Sequence, residues 1–99
     1  MYGTIARVKL QPGKEEEFIA QGKVYEELNI PGFVATATYR ADAGDNEYWL
    51  AVIFDSKESY RANAEDPAQD ERFQKMQAIL AAEPEWHDGE VIARQVAGG

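Results

Sequence analysis

The chain has 99 residues, of which 18 are acidic and 10 basic, giving a formal charge of −8. Its length predicts a single domain over residues 1–99, and its 44% hydrophobic and 28% charged content is ordinary globular composition, which argues against disorder. The absence of cysteine excludes disulfides, thiol catalysis and thiolate metal sites. The acidic balance and the dispersal of Arg7, Lys9, Arg40, Arg61, Arg72 and Arg94 disfavour nucleic acid and anionic membranes as partners. No apolar run reaches the ~18 residues of a membrane helix and no signal peptide is evident, so a cytoplasmic setting is expected.

Tyr2 to Leu10 alternates and is rich in β-formers, which predicts a strand ended by Gln11-Pro12-Gly13. Glu15, Glu16 and Glu17 suit the positive end of a helix, whose apolar stripe is Phe18, Tyr25 and Leu28 and which Ile30-Pro31-Gly32 stops. Phe33–Arg40 reads as a second strand, Ala43-Gly44-Asp45-Asn46 as a turn and Glu47–Asp55 as a third strand. Asp55 with Glu58 three residues on has capping-box spacing and predicts a helix from Ser56 to about Asn63. Asp66-Pro67 interrupts it, and a further helix carries Phe73, Met76 and Leu80 on one face until Pro84. Asp88-Gly89 reads as a turn into a last strand, Glu90–Val96, with Ala97-Gly98-Gly99 fraying.

The order β-α-β-β-α-β predicts an α+β, ferredoxin-like fold, a four-stranded antiparallel sheet with helices on one face. In the third strand Tyr48, Leu50, Val52 and Phe54 face one way and Trp49, Ala51 and Ile53 the other. Both sets are apolar, and one chain has helix enough for one face only. A homodimer with two sheets facing each other, a dimeric α+β barrel, is therefore expected.

Three segments resemble the antibiotic biosynthesis monooxygenase family. Val8-Lys9-Leu10-Gln11-Pro12-Gly13-Lys14-Glu15-Glu16-Glu17-Phe18 is similar to its strand-turn-helix opening, and Ile30-Pro31-Gly32-Phe33 to the proline-glycine lead-in to its second strand. Phe54-Asp55-Ser56-Lys57-Glu58-Ser59-Tyr60 is similar to its strand end and helix start. The resemblance implies a dimeric α+β barrel and a cofactor-free monooxygenase of phenols or quinols, with no metal or other cofactor. It also allows a non-catalytic binder of small apolar molecules, or a purely structural dimer. The chain departs from the family at Phe54, where a tryptophan is common, and at Asn63, where a histidine is common. No histidine pair occurs in Glu65-Asp66-Pro67-Ala68-Gln69. The haem-degrading branch's asparagine, tryptophan and histidine positions fall at Ala6, Phe54 and near Phe73 to Met76, so haem degradation is not expected.

Ligands in this fold lie between helices and sheet. With the register above, Thr4 and Ala6 face that space, surrounded by Tyr25, Phe54, Tyr60, Asn63, Phe73 and Met76. These residues read first as a packed core and, as the alternative, as a pocket for a small aromatic ligand. In the second case Asn63 and Tyr25 are the candidate catalytic groups, able to hydrogen-bond an oxyanion, and Arg7 or Arg94 could offset its charge. The substrate itself would supply the electrons. His87, the sole histidine, reads as an exposed turn residue, with a metal or proton-shuttle role as alternative; Trp86 reads as an anchor on the core or interface. Ser56 and Ser59 read as capping residues, and no nucleophile elbow, phosphate loop or dinucleotide fingerprint is present.

Overall fold

Alternation and turn residues give β1 (Tyr2–Lys9), α1 (Glu15–Glu27), β2 (Phe33–Arg40), β3 (Glu47–Phe54), α2 (Lys57–Glu65), α3 (Pro67–Gln77) and β4 (Glu85–Glu90). This is a computed structural model that describes residues 1–42 and 44–98; Ala43 of the expected turn and the terminal Gly99 lie outside the described residues. The strands form one antiparallel sheet in the order β2-β3-β1-β4, the ferredoxin-like plan.

β1 runs through the middle, with β3 on one side and β4 on the other. Its period of two sends Thr4, Ala6, Val8 and Leu10 under the helices, all buried, while Ile5 and Arg7 face the other side. Gly3 sits where β1 and β3 come closest: a Cβ there would run into the Val52 carbonyl oxygen. In β2 a bulge falls between Phe33 and Ala35. It breaks the parity of the strand, so that Phe33 joins Thr36 and Thr38 on the helix side. Gly32, at φ 81°, turns the chain into β2 and accepts the Asp55 amide at 2.7 Å through its carbonyl.

The main cluster of buried apolar side chains lies at one end of the sheet, while Phe54 is buried at the other. Val8, Leu10, Phe18, Tyr48, Ile79 and Leu80 form it, with Met76 packed against it. A polar clamp closes this end. Arg40 donates through Nε and Nη2 to Glu15 at 2.5 and 2.6 Å, and the Tyr48 hydroxyl donates to the same carboxylate at 3.0 Å. The clamp ties the first turn of α1 to β2 and β3. The Arg40 hydrogen bonds, followed by that from Tyr48, hold the Glu15 carboxyl down from 4.5 to about 2.

Four local expectations are corrected. The last strand is Glu85–Glu90, not Glu90–Val96, and Asp88-Gly89 lies within it rather than turning into it. Pairing decides the matter. Gly89 sits opposite Gly3, Glu90 opposite Tyr2, and the Val91 amide donates to the Met1 carbonyl at 2.9 Å. Beyond that point β1 offers no further partner, and residues 91–98 are without regular structure. The last helix ends at Gln77, well before Pro84, because Leu80 forms a bridge with Leu10 instead. The cap of α2 is Ser56, paired reciprocally with Ser59, not Asp55 with Glu58; the Asp55 carboxylate accepts from the Ser59 hydroxyl at 2.7 Å. Leu28 of the α1 stripe is 41% exposed. Asp66 behaves as its position suggests: it ends α2 and caps α3, whose first residue is Pro67.

Away from the helices, the sheet presents Trp49, Ile5 and Tyr39, which are 36%, 52% and 60% exposed. Arg7 bridges Glu47 and Glu85 on this face.

Gly3→Ala is expected to destabilise the fold by about 1–3 kcal/mol, since a backbone atom must move to make room. Urea unfolding checks this, and an unchanged midpoint would contradict the close approach. The Glu15 carboxyl has a depressed pKa, so its contribution to stability is complete above about pH 4.5 and is lost as the pH falls towards about 2. Glu15→Gln should flatten the acid limb of the stability–pH curve in that window, most visibly at low salt. Superimposable acid limbs for the two proteins would rule out the clamp.

Candidate functional site

Away from the Val8–Leu10 cluster, the space between β1 and the helices is not filled. A cavity of about 410 Å³ lies there between the sheet and all three helices. Its body is apolar. Leu50, Val52 and Phe54 of β3 and Phe33 of β2 line the sheet side, and Phe73 and Met76 of α3 the helix side. An aromatic wall runs along it: Tyr25 to Phe33 at 5.9 Å, Phe33 to Phe54 at 5.8 Å and Phe54 to Tyr60 at 5.7 Å between ring centroids. Trp86 of β4 closes the far side, with its ring 6.0 Å from that of Phe73.

Polar groups gather in two places. Where α1, α2 and α3 meet, Gln69 Oε1 accepts from the Tyr25 hydroxyl at 2.8 Å and from Arg72 Nε at 2.9 Å. Arg72 also reaches Asn63 Oδ1 at 3.5 Å, and its guanidinium carbon lies 5.5 Å from the centre of the Tyr25 ring. This half-buried arginine is thus fixed by one amide and stacked on one aromatic face. The second place is beside β1 and β4, where the Tyr60 hydroxyl donates to Asp88 at 3.0 Å. Burial first, and then the Asp88 carboxylate, push the Tyr60 phenol up to about 12. Thr4 Oγ1, sealed from water nearby, has no hydrogen-bond partner among the described residues.

Of the residues singled out from the sequence, Thr4, Tyr25, Phe54, Tyr60, Asn63, Phe73 and Met76 all line this cavity. Ala6 does not. It is fully buried, but its methyl is overtopped by its strand neighbours Leu50 and Trp86, which reach the cavity in its place. Neither Arg7 nor Arg94 turns inward: Arg7 is held by its two glutamates on the other face, and Arg94 is exposed beyond β4. His87 is on a strand, not a turn. It pairs with Ile5 and points away from the helices, since its neighbours Trp86 and Asp88 make the helix-side contacts. Glu85 and Asp88, its possible partners in a metal site, are engaged by Arg7 and Tyr60, and no metal-holding cluster occurs among the described residues.

Gln69 and Arg72 stand in the site in addition to the residues that the sequence singles out. A signal existed, because Gln69, Arg72, Phe73 and Met76 recur at three- and four-residue spacings and so share one face of α3. Trp86, expected as an anchor, both packs on Phe73 and lines the cavity.

A fold of this topology, with its cavity between helices and sheet, can be compared with known proteins. The sequence model of the antibiotic biosynthesis monooxygenase family matches residues 1–78, and the chain belongs to that family. Among solved structures it is similar to one from Chloroflexus aurantiacus assigned to the same family, with a TM-score of 0.77, 23% identity and 98% of each chain covered. It is also similar to SnoaB, a cofactor-independent oxygenase from Streptomyces nogalater, with a TM-score of 0.79, 16% identity and 94% of each chain covered. A family protein from Caulobacter crescentus gives a TM-score of 0.78 at 18% identity, covering 93% of this chain and 90% of its own. At these identities the likeness is one of fold. No curated protein matches at a significant level. No helix of the described residues is long and apolar enough to cross a membrane.

Proposed function

We propose that the chain is a cofactor-independent monooxygenase acting on a small aromatic phenol or quinol bound in the cavity. The observation that carries this reading is Arg72, a guanidinium held by Gln69 and stacked on Tyr25 at one edge of a largely apolar, aromatic space. Family membership and the fold shared with a cofactor-independent oxygenase support it. The chemistry asks little of the protein. A phenol or quinol gives up a proton and becomes an electron-rich anion, which then reacts with dioxygen. One oxygen atom enters the substrate and the other leaves as water, and all four electrons required come from the substrate. The protein must hold the anion and keep water away.

In this reading Arg72 offsets the developing charge, the role earlier considered for Arg7 or Arg94. Asn63, with its carbonyl oxygen turned to Arg72, presents its amide N–H groups to the oxyanion. Tyr25 acts on the site by orienting Gln69 and by supporting the guanidinium with its ring. The alternative, a non-catalytic binder of the same class of ligand, uses the same residues and differs only in the fate of oxygen.

Oxygen uptake with a panel of dihydroxynaphthalenes and hydroquinones tests the enzyme. Turnover is expected for at least one substrate. Asn63→Ala and Arg72→Leu should each lower kcat/KM about 100-fold, the usual effect of removing one oxyanion donor, and Tyr25→Phe about tenfold. An inert panel at high protein concentration contradicts the enzyme. Full activity in Asn63→Ala and Tyr25→Phe contradicts this site.

The chain is also proposed to act as a homodimer joined through the open sheet face, whose Ile5, Tyr39 and Trp49 are exposed in the single chain. Native mass spectrometry should give the mass of two chains, and that of one chain for Trp49→Lys. A single-chain mass for the unaltered protein would contradict the paired sheets.

A further inference from the structure

Phe18, Gly22 and Tyr25 recur at spacings of four and three residues, so they share the face of α1 that is turned to the sheet. Phe18 is buried against Tyr48, and Tyr25 packs on Phe33. Gly22 stands between them without a side chain, in the middle of a helix, where only proline is less favourable. Two ordinary reasons for a glycine fail at this position. Its backbone is not left-handed, since the described glycines with positive φ are Gly13 and Gly32. Nor does it let another element come close. Outside its own stretch of helix, no atom of the described residues lies within 4 Å of the place a Cβ would take.

The space in front of Gly22 lies between α1 and β2, the outer strand of the sheet. These two elements are tied at both ends. Arg40 of β2 donates to Glu15 of α1 at one end, and the Tyr25 ring meets that of Phe33 at 5.9 Å at the other. Phe18 fills the space next to the first tie. From Phe18 to Tyr25 the helix runs for about 10 Å at its usual rise per residue, and Gly22 borders the cavity within that stretch. Opposite it, Thr36 and Thr38 line the cavity from the helix side of β2, yet both are exposed. A helix that covered them would bury them, so the cavity reaches solvent here. Thr36 pairs with Val52 and Thr38 with Leu50, so a molecule that crosses the two threonines arrives on the apolar floor of the cavity.

We infer that the stretch between Gly22 and the Thr36–Thr38 row is the entrance to the cavity, and that Gly22 is a specificity-determining residue. The side chain it lacks sets the largest molecule that passes between α1 and β2. The inference rests on the cavity being a ligand site, as proposed above, and adds the route by which the ligand reaches it.

Because the chain has no cysteine, the route can be measured without a substrate. Val52→Cys places a single thiol on the cavity floor with little change of volume, and its alkylation by N-ethylmaleimide, followed by mass spectrometry, reports entry. The folded Val52→Cys protein should react. Adding Gly22→Leu should slow the reaction about tenfold, since the reagent must then wait for α1 to lift from the sheet. Gly22→Ala adds one methyl and should slow it less. Ala64→Leu adds bulk to the cavity wall on α2, away from the entrance, and should leave the rate unchanged. Both replacements at Gly22 favour the helix, and a loss of folding would speed the reaction instead of slowing it. Equal rates with and without Gly22→Leu, or equal slowing by Ala64→Leu, overturn the entrance and leave the cavity as a ligand site. A Val52→Cys thiol that reacts only after denaturation would mean that small molecules do not reach the cavity, and would overturn the ligand site proposed above together with this inference.

Discussion

β1 sends Leu10, Val8, Ala6 and Thr4 beneath the helices, and the division of the molecule follows from what meets them there. Leu10 and Val8 are large enough to meet Phe18, Ile79 and Leu80, and the protein is solid there. Ala6 ends in a methyl and Thr4 meets no such cluster, and at Thr4 the same layer borders the cavity. Since β1 is the central strand, both β3 and β4 take their register from it, and residues that border the cavity arrive there by pairing. Trp86 and Asp88 are brought to the helix side through their alignment with Ala6 and Thr4. The close approach of β1 to β3 at Gly3 lies next to the pairing of Phe54 with Tyr2, which sets Phe54 within the aromatic wall.

The charged groups divide in the same way. The Glu15–Arg40–Tyr48 clamp closes the filled end, where it joins three elements at the surface. The Arg72 cluster sits at the hollow end, where it joins the three helices by way of Tyr25, Asn63 and Gln69. The donors that Arg40 has to spare lie on a side chain that is 69% exposed. Those of Arg72 belong to a half-buried side chain that lines the cavity. This surplus, facing an apolar space, distinguishes a candidate site from a structural ion pair.

Much of this was legible in the sequence wherever a local rule decided the outcome. Alternation placed Thr4, Val52 and Phe54 on the helix face, and the Pro-Gly and Asp-Pro breaks set the order of elements. Local rules failed where distant pairing decided. Trp86-His87-Asp88-Gly89 has few β-formers and becomes a strand because β1 has an open edge, whereas the more strand-like Val91-Ile92 finds no edge left. Leu80 has helical spacing but bridges Leu10. The site shows the same division. Its apolar residues follow from periodicity, but Arg72 looked like one more dispersed surface charge. Its role depends on Tyr25, 47 positions earlier (72 − 25) and on another helix, and on Gln69 standing between them.

The two tryptophans give a direct test of the central claim, that ligand binds between helices and sheet. Trp86 borders the cavity, while Trp49 stands on the opposite face of the sheet. In a nitrogen–proton correlation spectrum each contributes one indole signal. Titration with a dihydroxynaphthalene should move the Trp86 signal in a saturable way and leave that of Trp49 in place. Movement of Trp49 with Trp86 unchanged would put the ligand on the open face and contradict the account, as would two signals that never move.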